Sequence, residues 1–390
     1  MDALSGSPLG WLCLGITALF GVTMLCMDKR ILAERANVLV WRLLPALLGL
    51  LSVATLGAGG GLVVFCAVCL VSSAYLGGRV LLPVGDKAVL ITGSDTGIGH
   101  ALAKYLDNLG FVVFAGVLNK DGPGAEELRQ TCSQRLSLLQ LDVTNVTQVK
   151  EAYLEVSEKV QNTGLWGVVN NAGILGFPAD GELLPMSMYR RCMEVNFFGA
   201  VELSKTFLPL LRKSQGRLVN ISSMAGGIPL PRFAAYGASK AALSMFSGVM
   251  RQELSKWGVK VAAIHPSGFR TGIEGTPDLW DKQTKELMEK LQADTKQDYG
   301  EDYLLGLKSY FLHMPMHCDA DLSPVLNAVL HALLAKRPHG LYTPGKGAYM
   351  SLCIFCYFPL WFYDFFMSKM ASTESVPSAL RTSEAESKDL

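Results

Sequence analysis

The sequence predicts an α/β protein, a doubly wound parallel sheet preceded by apolar segments of membrane length. Between Lys87 and Tyr342 short Val/Ile/Leu runs recur at 88–91, 112–117, 136–141, 167–169, 218–221 and 259–264, each followed by a stretch of helical period. Runs that are apolar at every position read as strands buried on both faces, as in a parallel sheet. The intervals are long enough for helical crossovers, which are right-handed in such sheets. The first crossover opens on a glycine-rich turn, Thr92-Gly93-Ser94-Asp95-Thr96-Gly97-Ile98-Gly99.

The amino-terminal elements come first. Residues 10–27 are apolar, Asp28, Lys29, Arg30, Glu34 and Arg35 interrupt, and two further apolar stretches follow at 43–57 and 62–76. These are membrane-length or slightly short. A cleaved signal peptide would need a basic start and a small-residue cleavage site; Asp2 and the two later stretches argue against it. Only Gly57-Ala58-Gly59-Gly60-Gly61 joins the last two stretches, so two and three crossings both remain open. Lys29, Arg30, Arg35 and Arg42 cluster after the first stretch, and positive charge tends to stay cytoplasmic. With three crossings the domain that follows faces the cytosol. We therefore expect an anchor over 1–80, a catalytic domain over 81–345 and, over 346–390, an apolar interfacial segment followed by a disordered tail, polar and without periodicity.

Half of the residues are hydrophobic, 18% are charged and the net charge is +1. No basic footprint lies outside the segment after the first apolar stretch, so no nucleic-acid partner is expected. The nine cysteines are scattered, odd in number and without ligand spacing, which points to neither a disulfide framework nor a metal site.

The glycine turn is the first element that carries chemistry. Gly93 permits a tight turn, Gly97 lets backbone amides approach a pyrophosphate, and Gly99 lets the helix pack on the strand; the amides and the helix dipole supply a positive field. Thr92, Ser94 and Ile98 belong to the same candidate dinucleotide site. A glycine turn alone is a weak signal. Tyr236 and Lys240, four apart on a helical stretch, project from one face and strengthen it. A nearby ammonium and a positive nicotinamide ring both favour phenolate over a phenol of pKa near 10, so Tyr236 can act as a general base. Ser222 and Ser223 could simply end a strand; the spacing of thirteen residues to Tyr236 selects Ser223. The second strand ends in Val117-Leu118-Asn119, with neither an acid for a ribose 2′-hydroxyl nor an arginine for a 2′-phosphate. NAD is the expected cofactor, and Lys120 leaves NADP as the alternative.

The set Thr92-Gly93-x-x-x-Gly97-x-Gly99, Asn170-Asn171-Ala172-Gly173, Ser223 and Tyr236-x-x-x-Lys240 resembles the short-chain dehydrogenase/reductase family. The wording between these motifs, including Phe114-Ala115-Gly116-Val117 and Val195-Asn196-Phe197-Phe198-Gly199, is similar to the hydroxysteroid dehydrogenases, over roughly residues 81–349. The resemblance implies a Rossmann-like fold and a catalytic set of Ser223, Tyr236, Lys240 and Asn196, with Asn196 holding a water through which the proton leaves. It implies cofactor contacts from Asp142, Asn170, Ala172, Gly173 and Thr271, with Tyr236 and Lys240 reaching the nicotinamide end. It further implies NAD-dependent oxidation of 17β-hydroxysteroids such as oestradiol and testosterone to 17-ketosteroids, with 20α-hydroxyprogestins as further substrates. An 11β-hydroxysteroid or retinoid-type dehydrogenase is the alternative, and a catalytically silent NAD-binding membrane scaffold is the reading from another class. A homodimer through 188–213 and 234–256 also follows from the likeness; the expected location is the endoplasmic-reticulum membrane, with the catalytic domain cytosolic by the charge placement above. One departure is Pro266-Ser267-Gly268, where the family has Pro-Gly; it puts the backbone approach near Thr271 in doubt.

Two later stretches are read from their apolar content. Residues 269–316 carry Trp280, Leu287, Leu291, Tyr303, Leu304 and Phe311, either a lid over a steroid or ordinary core packing. Residues 348–370 contain Trp361, many Phe and Tyr, Pro359 and Asp364, and fit an interfacial contact with membrane lipid or a helix packed on the domain.

Overall fold

The computed structural model describes residues 48, 59–71, 80–273, 275–307, 316, 318–370 and 376–381. Two compact units divide the chain, 1–83 with 334–338, and 84–333 with 339–390. In the first, the described residues include a helical stretch at 59–71 and a short antiparallel pairing of Leu81 with Ala335. Among the described residues no helix is long and apolar enough to cross a membrane. The expected spans at 10–27 and 43–57 lie outside the described residues apart from Leu48, and the third is described only up to residue 71.

The second unit is the doubly wound sheet that the apolar runs predict. Its strands are β1 (Ala88–Ile91), β2 (Val112–Val117), β3 (Leu136–Gln140), β4 (Gly167–Asn170), β5 (Arg217–Ile221), β6 (Lys260–Ile264) and β7 (Leu341–Tyr342). They are parallel, in the order β3-β2-β1-β4-β5-β6-β7. The two-residue β7 is too short to leave a periodic signal, and the sequence reading does not include it.

Alternation along the strands sends residues to two cores. Leu90, Phe114, Leu139, Val168 and Leu218 face α3 (Val146–Lys159) and α5 (Ala200–Ser214), which contribute Val149, Val156, Leu203, Phe207 and Leu211 to one cluster. On the opposite face α9 (Ser323–Leu334) approaches so closely that a methyl on Gly167 would lie 2.7 Å from Leu333 and 3.3 Å from Val89. Trp166 Nε1 also donates to the Leu333 carbonyl at 3.0 Å.

The strand order reverses between β1 and β4. In such a sheet the crossovers diverge on either side of the reversal and leave a crevice at the carboxyl ends of the strands. The glycine turn after β1, the Asn171-Ala172-Gly173 segment after β4 and the Ser222-Ser223 pair after β5 all open onto it.

Candidate active site

The crevice encloses about 950 Å³. Its cofactor-like end is built from backbone. Gly93 has φ +67°, and a methyl there would lie 2.9 Å from the Ala172 Cα. Gly97 has φ +60° and approaches the Thr271 carbonyl equally closely. A methyl on Gly99 would overlap the Gly93 carbonyl and the Asn171 amide. All three glycines are therefore required by contact. Thr92 braces the turn: its Oγ1 accepts from the amides of Asn171 and Ala172 at 3.0 and 2.9 Å, while Asn171 Nδ2 donates back to the carbonyls of Thr92 and Gly93. Helix α1 (Gly97–Asn108) starts there, with no capping bond from the Thr96 side chain and no acid in its first turn. Its positive end faces the crevice through Thr96, Gly97 and Ile98.

Asp95 does something that the sequence reading did not assign. Its carboxylate accepts from the amides of Leu118 at 2.9 Å and Asn119 at 3.3 Å, at the end of β2. The glycine turn thus brings a carboxylate to the end of β2. No periodicity signals this; it requires knowing that β1 and β2 are paired neighbours.

The floor of the crevice lies between β5 and α6 (Ala234–Glu253), where Tyr236 and Lys240 occupy successive turns of the helix. Tyr236 is hydrogen-bonded by Ser223. The Ser222 hydroxyl goes elsewhere, its Oγ donating to the Lys240 carbonyl at 2.8 Å, which separates the roles of the two serines. Lys240 is buried; its Nζ donates to the Ile221 carbonyl at 2.9 Å and lies 5.9 Å from the Tyr236 ring centre. Asn196 sits in a π-helical turn, Glu194–Gly199, of the kind that often marks a functional position. It accepts from the Ile174 amide at 2.8 Å and donates to the Ile174 carbonyl and Ser239 Oγ, both at 2.9 Å. A methyl added to Gly173 would be 3.1 Å from Lys240 Nζ and 3.2 Å from Asn196 Oδ1. The lysine and the asparagine thus face one small gap over Gly173.

The electrostatics correct one expectation. In the protein alone, burial pushes the Tyr236 phenol up to about 12, with the Ser223 hydrogen bond pulling the other way and the Cys192 thiol adding to the rise. Burial also lowers Lys240 to about 8, so it remains mainly an ammonium at neutral pH. Tyr236 needs a further positive charge to become a base near neutrality.

The remaining predicted residues divide. Asp142 lines the crevice and accepts from the amide and hydroxyl of Thr144 at 2.9 and 2.7 Å. Ala172, Gly173 and Thr271 also line it. Asn170 does not reach it: the side chain is buried in the sheet and donates to Ser204 Oγ at 2.8 Å and Asn220 Oδ1 at 2.7 Å. Its neighbour Asn171 reaches the crevice instead. Ser94 is likewise fully buried, with its hydroxyl on the Ile91 carbonyl. Ser267 has no left-handed backbone, and its hydroxyl fits against Gly345, where any side chain would overlap it. The missing glycine is thus accommodated from across the turn.

The lid residues belong to a core. Trp280 and Leu287 of α7 (Pro277–Lys290), with Tyr303, Leu304 and partly buried Leu291, pack on Phe177, Leu183, Leu184 and Ala235. Phe311 lies outside the described residues. The apolar walls beside Tyr236 come from Leu175, Leu230, Phe233, Phe269 and Ile273. The loop carrying Leu230 and Phe233 is tied down by Tyr363, whose phenol donates to the Pro229 carbonyl at 2.5 Å.

The short chain dehydrogenase family model matches residues 87–282. The chain is 52% identical to human 17-beta-hydroxysteroid dehydrogenase type 2, covering 96% of each protein. It is 49% identical to mouse estradiol 17-beta-dehydrogenase 2 over 96% of this chain and 98% of that protein. Human 11-beta-hydroxysteroid dehydrogenase type 2 is 44% identical over 77% of this chain and 74% of its own. Among solved structures, a short-chain dehydrogenase from Streptomyces avermitilis superposes with a TM-score of 0.57 at 22% identity, covering 74% of this chain and 96% of that one, a likeness of fold. The chain belongs to the short-chain dehydrogenase family.

Proposed function

We propose that the chain is an NAD-dependent hydroxysteroid dehydrogenase that oxidises 17β-hydroxysteroids, oestradiol and testosterone among them, to 17-ketosteroids, with 20α-hydroxyprogestins as further substrates. The observation that carries this is the 52% identity to the human type 2 17-beta enzyme across 96% of both chains, against 44% over a shorter span for the 11-beta enzyme. The apolar walls beside Tyr236 suit a rigid, water-poor alcohol.

The cradle fits a dinucleotide. Three glycines hold the turn open to backbone approach, and the uncapped start of α1 offers a positive end to a pyrophosphate. The oxidised nicotinamide, when bound, accepts the hydride from the alcohol carbon. Ser223 hydrogen-bonds the substrate oxygen, and Tyr236 Oη takes its proton. Lys240 keeps a cation beside the phenol and is placed to hold the ribose. The gap over Gly173 has Lys240 Nζ and Asn196 Oδ1 on its two sides and suits a water that passes the proton onward. Asp95, whose carboxylate reaches from the glycine turn to the end of β2, favours NAD over NADP, because a 2′-phosphate would meet that charge.

The surroundings follow the same reading. The apolar stretches of 1–80 anchor the chain in the endoplasmic-reticulum membrane, with the catalytic domain of 81–345 on the cytosolic side. Helices α10 (Ala348–Tyr357) and α11 (Leu360–Met370), with Phe358 between them, expose Tyr349, Tyr357, Phe358, Leu360 and Trp361, a composition suited to lipid contact. Exposed Phe198, Met245 and Val249, in and beside α5 and α6, suit a homodimer through those helices.

Membranes bearing the full chain, given NAD or NADP with oestradiol or cortisol, test the proposal. Oestradiol oxidation with NAD is expected. Preferential cortisol turnover would move the assignment to the 11β class, and NADH binding without turnover of any alcohol would favour a silent scaffold.

A further inference from the structure

His265, directly after β6, is buried beside the catalytic floor and has no part in the mechanism above. Its Nε2 lies 2.9 Å from Ser244 Oγ. Ser244 Oγ is 2.8 Å from Ser222 Oγ, and each of these hydroxyls is 2.8 Å from the Lys240 carbonyl. Four close polar contacts must therefore be filled from a small supply of hydrogens.

Each serine hydroxyl carries one hydrogen. If His265 carried its proton on Nδ1, Ser244 would spend its only hydrogen on Nε2. Ser222 could then fill one more contact, and two of the four would stay empty. With the proton on Nε2, His265 donates to Ser244, Ser244 donates to Ser222 or to the Lys240 carbonyl, and Ser222 donates to that carbonyl, filling three. The tautomer is assigned by this hydrogen count. The imidazole is held neutral, pushed down to about 4 by burial and then by Lys240, so it stays a single-proton donor at working pH.

We infer that His265 is a positioning residue: by donating from Nε2 it directs the Ser244–Ser222 pair onto the Lys240 carbonyl and fixes the stretch of α6 carrying Tyr236 and Lys240 against the strand end carrying Ser223. Ser222 is adjacent to Ser223, so the chain of bonds joins β6, α6 and β5 at the reacting end. The ring is closely fitted, since a methyl on Gly227 would lie 2.9 Å from Nδ1. Of the groups packed around it, Lys240 carries the charge. Tyr342 meets it through its backbone oxygen, with the phenol turned to His331 and His339. The inference rests on Tyr236 and Lys240 performing the proton transfer.

The test compares His265→Leu, His265→Gln, Ser244→Ala and Tyr236→Phe in the full chain, reading kcat, KM, the pH profile of kcat and NADH binding. His265→Leu is expected to lower kcat roughly ten- to a hundredfold with little change in KM or NADH affinity, as misplaced reacting groups do. Its activity should rise at higher pH than wild type, because a loosened ammonium favours phenolate less. His265→Gln, which keeps a donor, should restore most of both. Combining His265→Leu with Ser244→Ala should cost no more than the larger single change. A wild-type kcat and pH profile in His265→Leu, or a glutamine variant no better than leucine while NADH still binds, overturns the inference. An active Tyr236→Phe would instead overturn the catalytic reading beneath it.

Discussion

The two ends of the crevice are built on opposite principles. At the glycine turn the surface is backbone, and three glycines are fixed there by contacts that a single methyl would violate. Around Tyr236 the walls are side chains, Leu175, Leu230, Phe233 and Phe269, drawn from segments far apart in sequence. A backbone surface tolerates almost no change in its own residues, whereas a side-chain wall can be repacked while its volume is kept. This difference suits an enzyme that must hold one constant dinucleotide and a substrate whose shape varies within its class.

The harshest way to break that contrast is Gly99→Ala. The methyl would overlap a carbonyl and an amide that both belong to the braced turn, so neither can yield without opening the cradle. NADH binding, followed by fluorescence, is expected to disappear, with a stability loss of about 3 kcal/mol or more in thermal melts. Retained NADH affinity would mean that the backbone end is as adaptable as the apolar end.

Next in size is Tyr236→Phe, which removes the proposed proton acceptor and leaves the walls intact. Turnover is expected to fall about a hundred- to ten-thousandfold, with NADH affinity nearly unchanged. The phenol also gives a pH reading. It stands near 12 in the protein alone, as Tyr303 and Tyr342 also do, so the difference between ultraviolet titrations of the wild type and of Tyr236→Phe should find it protonated past pH 10 and moving to lower pH when NAD is added. The sign follows from charge: burial disfavours phenolate, and a second cation beside Lys240 favours it. A phenol that titrates identically with and without NAD would separate Tyr236 from the nicotinamide end.

How much of this was legible in the sequence follows the same division. The sheet, its six longer strands and the glycine turn could be read because a buried strand and a close-approach turn each leave a local pattern. Tyr236, Lys240 and Ser223 could be read because four residues on a helix face one side and a short spacing ties the serine to them. Asn170 and Asn171 could not be told apart, since alternation alone decides which amide enters the sheet network and which braces the turn. Trp280 and Tyr303 suggested a lid, and the packing against Phe177 and Leu183 makes them core; their partners lie about a hundred residues away. His265 left no signal, and Asp95 could be read only as an acid standing in the glycine turn where a phosphate-binding cation would be; its hold on Leu118 and Asn119 depends on a neighbour brought to it by strand pairing.

Gly173→Ala sharpens the contrast at the point where the two ends meet. The added methyl would fill the gap between Lys240 Nζ and Asn196 Oδ1 without disturbing a left-handed turn. If a water in that gap carries the proton onward, kcat should fall roughly tenfold, at the low end for a weakened general-base step. NADH binding should change little, and the deficit should shrink as pH rises and the proton leaves more readily. Equal losses in kcat and NADH affinity would assign the gap to cofactor contact rather than to proton exit.

The smallest effect is expected from Asp95→Ser, and it asks whether the backbone end also chooses between the two cofactors. The Asp95 carboxylate is shared by two exposed amides, which water can satisfy once it is gone, so the fold should lose little. Electrostatically the change is larger, because a 2′-phosphate entering beside β2 no longer meets a fixed negative charge. Removing one such charge near the surface is worth about 1–3 kcal/mol. The ratio of kcat/KM for NADP to that for NAD should therefore rise on the order of tenfold. The vacated amides would themselves donate to the phosphate, and higher salt should diminish the gain. If the ratio stays at its wild-type value, selectivity lies elsewhere, and Asp95 serves only to fasten the glycine turn to the end of β2.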